Sequence, residues 1–187
     1  MRSLGPASGR NPPVERWNPP HCGDIDMRIA ADGSWHYMGS PIGRMPLVKL
    51  FASVLRRDGE TYVLVTPVEK LGITVDDAPF QAVEMAVDGE AGSRGIAFRT
   101  NVDDLVTVGP DHALRFEIAG DGALKPYVHV RRGLWARVTR ALAYDLLALG
   151  EVRDVDGEAM FGVMAGGAFH AALPASAIDG LASEGPA

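Results

Sequence analysis

A chain that repeats itself has few folds open to it, and this one does so. Residues Ile29-Ala30-Ala31-Asp32-Gly33 return as Ile118-Ala119-Gly120-Asp121-Gly122. A run with helical spacing follows each copy after a short loop, at 45–57 in the first half and 134–149 in the second. Each run leads to an Asp-Gly-Glu turn and then to an apolar stretch, at Asp58-Gly59-Glu60 and Asp156-Gly157-Glu158. Three features in one order predict an α+β fold of two related units made by internal duplication, with a seam between them. At 187 residues the chain has room for two such units around a buried core.

Local chemistry fills in the elements. Asp32-Gly33 is a favoured hairpin turn between strands at 26–30 and 34–38. Pro46 suits the first turn of the helix predicted at 45–57, and Arg56-Arg57 suit its C-terminal dipole. Leu47, Val48, Leu50, Phe51, Val54 and Leu55 give that helix a broad apolar face. The continuous apolar run at 62–65 reads as a buried strand, and 80–87 with 95–100 as a hairpin about a glycine-rich turn. Short strands follow at 105–108, 114–119 and 127–130. The second helix ends at Gly150, a C-terminal cap, and strands near 152, 160–163 and 168–173 close the second unit. The predicted division is a flexible tail at 1–16, a first unit at 17–77, a second at 78–174 and a flexible tail at 175–187. Trp17 and Pro19-Pro20 predict an extended arm docked on the first unit.

Charge narrows the partners. A formal net charge of -6 argues against nucleic acid or an anionic membrane surface. No apolar run approaches membrane-spanning length, and the first residues lack the apolar core of a signal peptide. A single cysteine, Cys22, excludes an internal disulfide and fits a reducing compartment, so a cytoplasmic location is expected. The five histidines are scattered without metal-ligand spacing, and Asp154-Val155-Asp156-Gly157-Glu158 lacks the spaced ligands of a calcium loop. No nucleophile elbow, metalloprotease helix or dinucleotide fingerprint is present. The expectation is a binding protein with no catalytic residues, metal or cofactor.

Binding candidates come from loops. Arg44 and Arg131 lie in the loops that lead into the two predicted helices, where a cation opposes the helix dipole unless it holds an anion there or turns away to a carboxylate. Glu69 and Lys70 follow a buried strand: either a solvated proline turn, or a carboxylate and a movable cation at a site. Asp77 offers a carboxylate or an Asx-type turn. Asn101 ends a strand and can bond a base edge or the backbone. Tyr127 can stack on a base or pack as a buried strand tyrosine. Arg137 and Arg140, three apart, are expected as neighbours on the second helix, where Arg140 would face the seam or pair with nearby acids.

The strings Leu64-Val65-Thr66-Pro67-Val68-Glu69-Lys70, Asp77-Ala78-Pro79-Phe80, Phe98-Arg99-Thr100-Asn101 and Pro126-Tyr127-Val128-His129-Val130-Arg131, with Leu134, Ala136, Arg140 and Tyr144, carry a likeness. Together they resemble the bacterial domain-of-unknown-function family numbered 1285, over roughly residues 17–173. The resemblance implies a duplicated core, a second unit superficially like a pleckstrin-homology fold, a nucleotide-like ligand at the inter-unit seam and a signalling role. The functional expectation is therefore a non-catalytic sensory or signalling module that binds a small anionic, nucleotide-like molecule. Lys70 with Arg131 or Arg140 would hold it across the seam. The alternative is a protein-interaction scaffold that uses the second unit.

Overall fold

Tight turns set the architecture. The pairs Met38-Gly39, Arg132-Gly133 and Asp156-Gly157 all sit at positive φ, the backbone that folds adjacent strands back on each other with their natural twist. In the computed structural model, which describes residues 11–90 and 92–178, such turns build fifteen strands into three-stranded antiparallel meanders. Of the tails expected at 1–16 and 175–187, residues 1–10 and 179–187 lie outside the described residues.

In the first unit β1 (His21–Ile29), β2 (Trp35–Tyr37) and β3 (Ser40–Pro41) run from the centre of a sheet to its edge. After α1 (Met45–Ser53), β4 (Leu55–Asp58), β5 (Thr61–Val65) and β6 (Lys70–Val75) return from the far edge, and β6 pairs in parallel with β1. The second unit repeats this plan. β7 (Phe80–Asp88), β8 (Gly95–Thr100) and β9 (Leu105–Thr107) run outward, then β10 (Leu114–Ile118), β11 (Leu124–Arg131) and β12 (Leu134–Val138) run inward to a parallel β12–β7 pair. α2 (Arg140–Ala148) follows. A separate sheet of β13 (Glu151–Val155), β14 (Glu158–Ala165) and β15 (Ala168–Pro174) lies beside β10, where the Leu114 N–H donates to His170 Nδ1 at 3.3 Å.

Two six-stranded sheets of the same strand order support an internal duplication, and the fold is mostly β rather than α+β. The frame of the repeat differs from the one the pentapeptides suggest. Strand for strand, β1–β6 match β7–β12, so the turn after Asp58 corresponds to the loop at Asp121-Gly122, not to Asp156-Gly157. In the pentapeptide frame a meander, a helix and a meander do recur, but the second copy is split between two sheets.

Both helices are shorter than predicted. α1 stops at Ser53 because the next residues pair with β5, Leu55 opposite Leu64 and Asp58 opposite Thr61. Arg56 and Arg57 thus belong to a strand and do not serve the helix end. In the second unit residues 134–138 are strand β12: their burial alternates with period two, and Arg132-Gly133 form the hairpin turn before them. Helical spacing begins only after Thr139, with Ala143 and Leu146 buried.

One continuous core joins the units. Ile29, Trp35, Val48 and Leu55 of the first unit and Phe80, Phe98, Leu134 and Leu146 of the second belong to a single buried cluster. The other face of the first sheet is covered by the N-terminal arm. Val14, in a 3-10 helix spanning Val14–Arg16, is fully buried against Val63 and Val65 with Trp17 beside it. Arg56 donates to the carbonyls of Val14 and Trp17 at 2.8 and 2.6 Å. The arm is therefore docked from Val14, inside the stretch expected as a tail. On the α1 face, a nine-residue helix of about 14 Å length and about 10 Å thickness does not cover six strands spanning about 24 Å, and a groove stays open beside it.

Candidate functional site

The meander β10-β11-β12 has an apolar and a polar face. Leu114, Val128 and Ala136 stand in one row and are buried in the core. Arg115, Tyr127 and Arg137 stand in the neighbouring row and point the other way. Asp77, in the link between β6 and β7, closes over that polar face. It accepts from the Tyr127 hydroxyl at 2.6 Å, from Arg137 at 3.2 Å and pairs with Lys125 at 3.4 Å. Tyr127 is fully buried, and burial together with its bond to Asp77 pushes the phenol well above its ordinary pKa, so it stays a neutral donor. The Arg115 guanidinium lies over the Tyr127 and Trp135 rings, 4.8 and 4.6 Å from their centroids.

Lys125 and Arg137 also line a cavity of about 290 Å³ between β11, β12 and α2. Arg140 and Tyr144 of α2 and Asp121 of the β10–β11 loop complete its charged and polar wall. Arg140 donates only to the Tyr144 hydroxyl, at 3.3 and 3.4 Å, and has no carboxylate at ion-pair distance among the described residues. The Thr139 side chain makes no capping bond at the start of α2. Cations thus outnumber carboxylates here, Lys125, Arg137 and Arg140 against Asp121 in the wall and Asp77 paired to the first two, on a chain of net charge -6. Two guanidiniums and an ammonium in a concavity suit a small anion. Tyr144, 63% exposed, offers a ring face next to it. No nucleophile is paired with a base in this cluster. Among the described residues no three His, Cys, Asp or Glu side chains converge as metal ligands.

Of the residues nominated by the sequence, Arg140 lines this cavity, while Asp77 and Tyr127 bond each other beside it, Asp77 reaching the lining residues Arg137 and Lys125. The others lie elsewhere. Lys70 binds Asp58 at 2.9 Å on the arm-covered face of the first sheet. Arg56 grips the same carboxylate at 2.6 and 2.8 Å, and the two cations, Arg56 first, hold the Asp58 pKa down to about 2. Arg131 does face the seam, but as a strut: it pairs with Asp104, donates to the Ala52 carbonyl of α1 at 2.9 Å and lies 4.8 Å over the Phe80 ring. The expected convergence of Lys70 with Arg131 or Arg140 is absent, because Lys70 and Arg131 are each taken by a carboxylate of their own. Asn101 accepts the Gln81 N–H at 3.0 Å and locks a strand end. Arg44 is the exposed N-cap residue of α1, without a side-chain capping bond. Glu69 is exposed at the mouth of a second, apolar groove in the first unit.

Sequence reasoning passed over Arg115 and Lys125. The signal was available: Lys125, Tyr127 and His129 alternate along one strand with Pro126 and Val128, which marks a polar face over a buried one up to the register shift before Arg131. Arg137 was expected on a helix beside Arg140. It sits instead on β12, opposite Tyr127.

The fold and this cavity define a two-domain, mostly-β protein with a basic pocket in its second domain. The chain belongs to the DUF1285 family: the model of its N-terminal domain, a domain of unknown function, matches residues 12–78, and that of its C-terminal domain matches 79–172. It is similar to the crystal structure of a DUF1285 family protein from Silicibacter pomeroyi DSS-3, with 43% identity and a TM-score of 0.85 over 92% of this chain and 93% of that one. It is also similar to a DUF1285 family protein from Shewanella baltica OS155, with 30% identity and a TM-score of 0.51 over 65% of this chain and 90% of that one. No curated protein matches the chain. Among the described residues no helix is long and apolar enough to cross a membrane.

Proposed function

We propose that this protein is a non-catalytic binding module for a small anionic, nucleotide-like ligand, and that the ligand sits in the basic cavity of the second unit. The observation that carries the reading is Arg140. It lines a concave pocket with Lys125 and Arg137 and has no carboxylate at ion-pair distance among the described residues, Asp121 of the same wall acting on it only at longer range. A cation left unpaired beside two others that share one Asp77 oxygen is stabilised by an incoming anion, which costs no existing ion pair of its own. Size limits the ligand. A cavity of about 290 Å³ is at the small end for ligand sites, so it suits one phosphate or carboxylate group with one ring. The Tyr144 ring face supports the aromatic part.

A sensory or signalling role, with occupancy read out by a partner, extends the same proposal. So does the pleckstrin-homology-like outline of the second unit, supported by a helix that follows its sheet. The scaffold reading is favoured by one observation: β13 is an edge strand on which Val152 and Val155 are exposed, a place where a partner strand can add. Thermal-shift measurement with inorganic phosphate and nucleoside monophosphates tests the main reading, since a ligand at one hundred times its Kd stabilises by about 2.7 kcal/mol. Stabilisation that Arg140→Met abolishes supports it. No stabilisation by any of these anions removes it in favour of the scaffold.

A further inference from the structure

The first unit carries another concavity, remote in the chain from the basic cavity. Between α1 and strands β1, β5 and β6 runs a groove of about 650 Å³, with Met27, Leu47, Phe51, Leu64 and Leu71 among its apolar walls. Its floor is firm: Phe51 stacks on the buried Trp35 with ring centroids 6.2 Å apart and planes 20° from parallel. Its rim is apolar and open, with Leu50 57% and Tyr37 49% exposed. An exposed apolar concavity of this volume lies in the middle of the range of small-molecule sites and well above what one or two waters need.

Its polar lining is sparse and of one sign. Thr66 is spent on its own loop, where its hydroxyl accepts from the Glu69 N–H and donates to the Glu69 carbonyl, both at 3.2 Å. The groove surface is almost wholly apolar; Glu69 is the single charged residue along its edge, and its exposed carboxylate has no hydrogen bond or ion pair among the described residues. The apolar walls therefore select a ligand body, and Glu69 selects its head. A head with a negative charge would meet a like charge at the mouth; an ammonium would find an unpaired carboxylate.

We propose that this groove binds a small amphiphilic amine, its hydrocarbon body under α1 and its ammonium group against Glu69. The site is separate from the basic cavity and takes a ligand of opposite charge.

Decylamine, decanol and decanoate, each below its micellar concentration or solubility limit, are titrated against the full chain by calorimetry. The expected order is decylamine tightest, decanol weaker and decanoate weakest. Glu69→Gln, at an exposed position, weakens decylamine about fivefold, the size of one exposed ion pair, and leaves decanol unchanged. Leu50→Trp, also exposed, crowds the groove and weakens both, while Arg140→Met changes neither. Decanoate binding as tightly as decylamine, or equal decylamine affinity in wild type and Glu69→Gln, overturns the proposal. So does sedimentation showing a dimer that Leu50→Glu dissociates, because a second copy would then be the occupant.

Discussion

Arg131→Met should unlock the two units from each other, at a cost that can be worked from its contacts. The guanidinium donates to the Ala52 carbonyl, pairs with Asp104 and covers the Phe80 ring, and the side chain is only 13% exposed. The neutral hydrogen bond contributes about 1 kcal/mol and the ring contact about as much. Stranding the partner of a buried pair costs about 3–5 kcal/mol when water cannot reach it, but Asp104 remains 22% exposed, which cuts that figure by more than half. Methionine keeps much of the apolar stem. The expected net loss is about 2–3 kcal/mol. Urea unfolding followed by tryptophan fluorescence and by circular dichroism measures it, and Asp104→Asn completes a double-mutant cycle. In the Asp104→Asn background, Arg131→Met should cost at least about 1 kcal/mol less than in wild type, because the carboxylate is no longer stranded. A single-variant loss under about 0.5 kcal/mol, or the same loss in both backgrounds, would refute the view of Arg131 as a strut.

Three further outcomes follow from the same contacts. Lys70→Met should lower stability by about 0.5–1 kcal/mol in urea unfolding and leave phosphate affinity unchanged, since its partner is Asp58 and not a ligand. Asp58 has a depressed pKa of about 2, so its contribution is complete above the ordinary carboxylate value and is lost as pH falls towards 2. After allowance for solvent screening this is about 1 kcal/mol, to be read as the difference between wild type and Asp58→Asn in acid titrations of unfolding; an acid dependence identical in the two proteins contradicts it. Gly166→Ala should cost about 2–3 kcal/mol, because φ is +58° and a Cβ would stand 2.2 Å from the Val108 carbonyl oxygen; calorimetric melting checks this.

Period-two and turn chemistry were the readable part of the sequence. Asp32-Gly33, Gly59, Asp156-Gly157 and the apolar run at 62–65 place hairpins and strands where they occur. Helical extent was less readable. The apolar residues at 47, 48, 50, 51, 54 and 55 continue a helical pattern past Ser53, yet Leu55 is claimed by pairing with Leu64, which no local spacing shows. Likewise Leu134, Ala136 and Val138 fit either period until Arg132-Gly133 is seen as a turn. The site suffered for the same reason. Arg131 read as the residue before a helix is an anion ligand; as the residue before a hairpin turn it is free to reach α1 and Asp104. Asp77 and Tyr127 were both nominated and bond each other, but the place of Arg137 opposite Tyr127 and on Asp77 depends on strand register, a long-range property.

The anion site stands or falls on one titration. Adenosine monophosphate and inorganic phosphate are titrated by calorimetry into wild type, Arg140→Met and Arg137→Met at low and at high salt. Wild type should bind, Arg140→Met should weaken binding at least tenfold through loss of one charge-assisted contact, and that variant should show a shallower salt dependence. Equal affinity in wild type and both variants, or no heat with either anion, would contradict it.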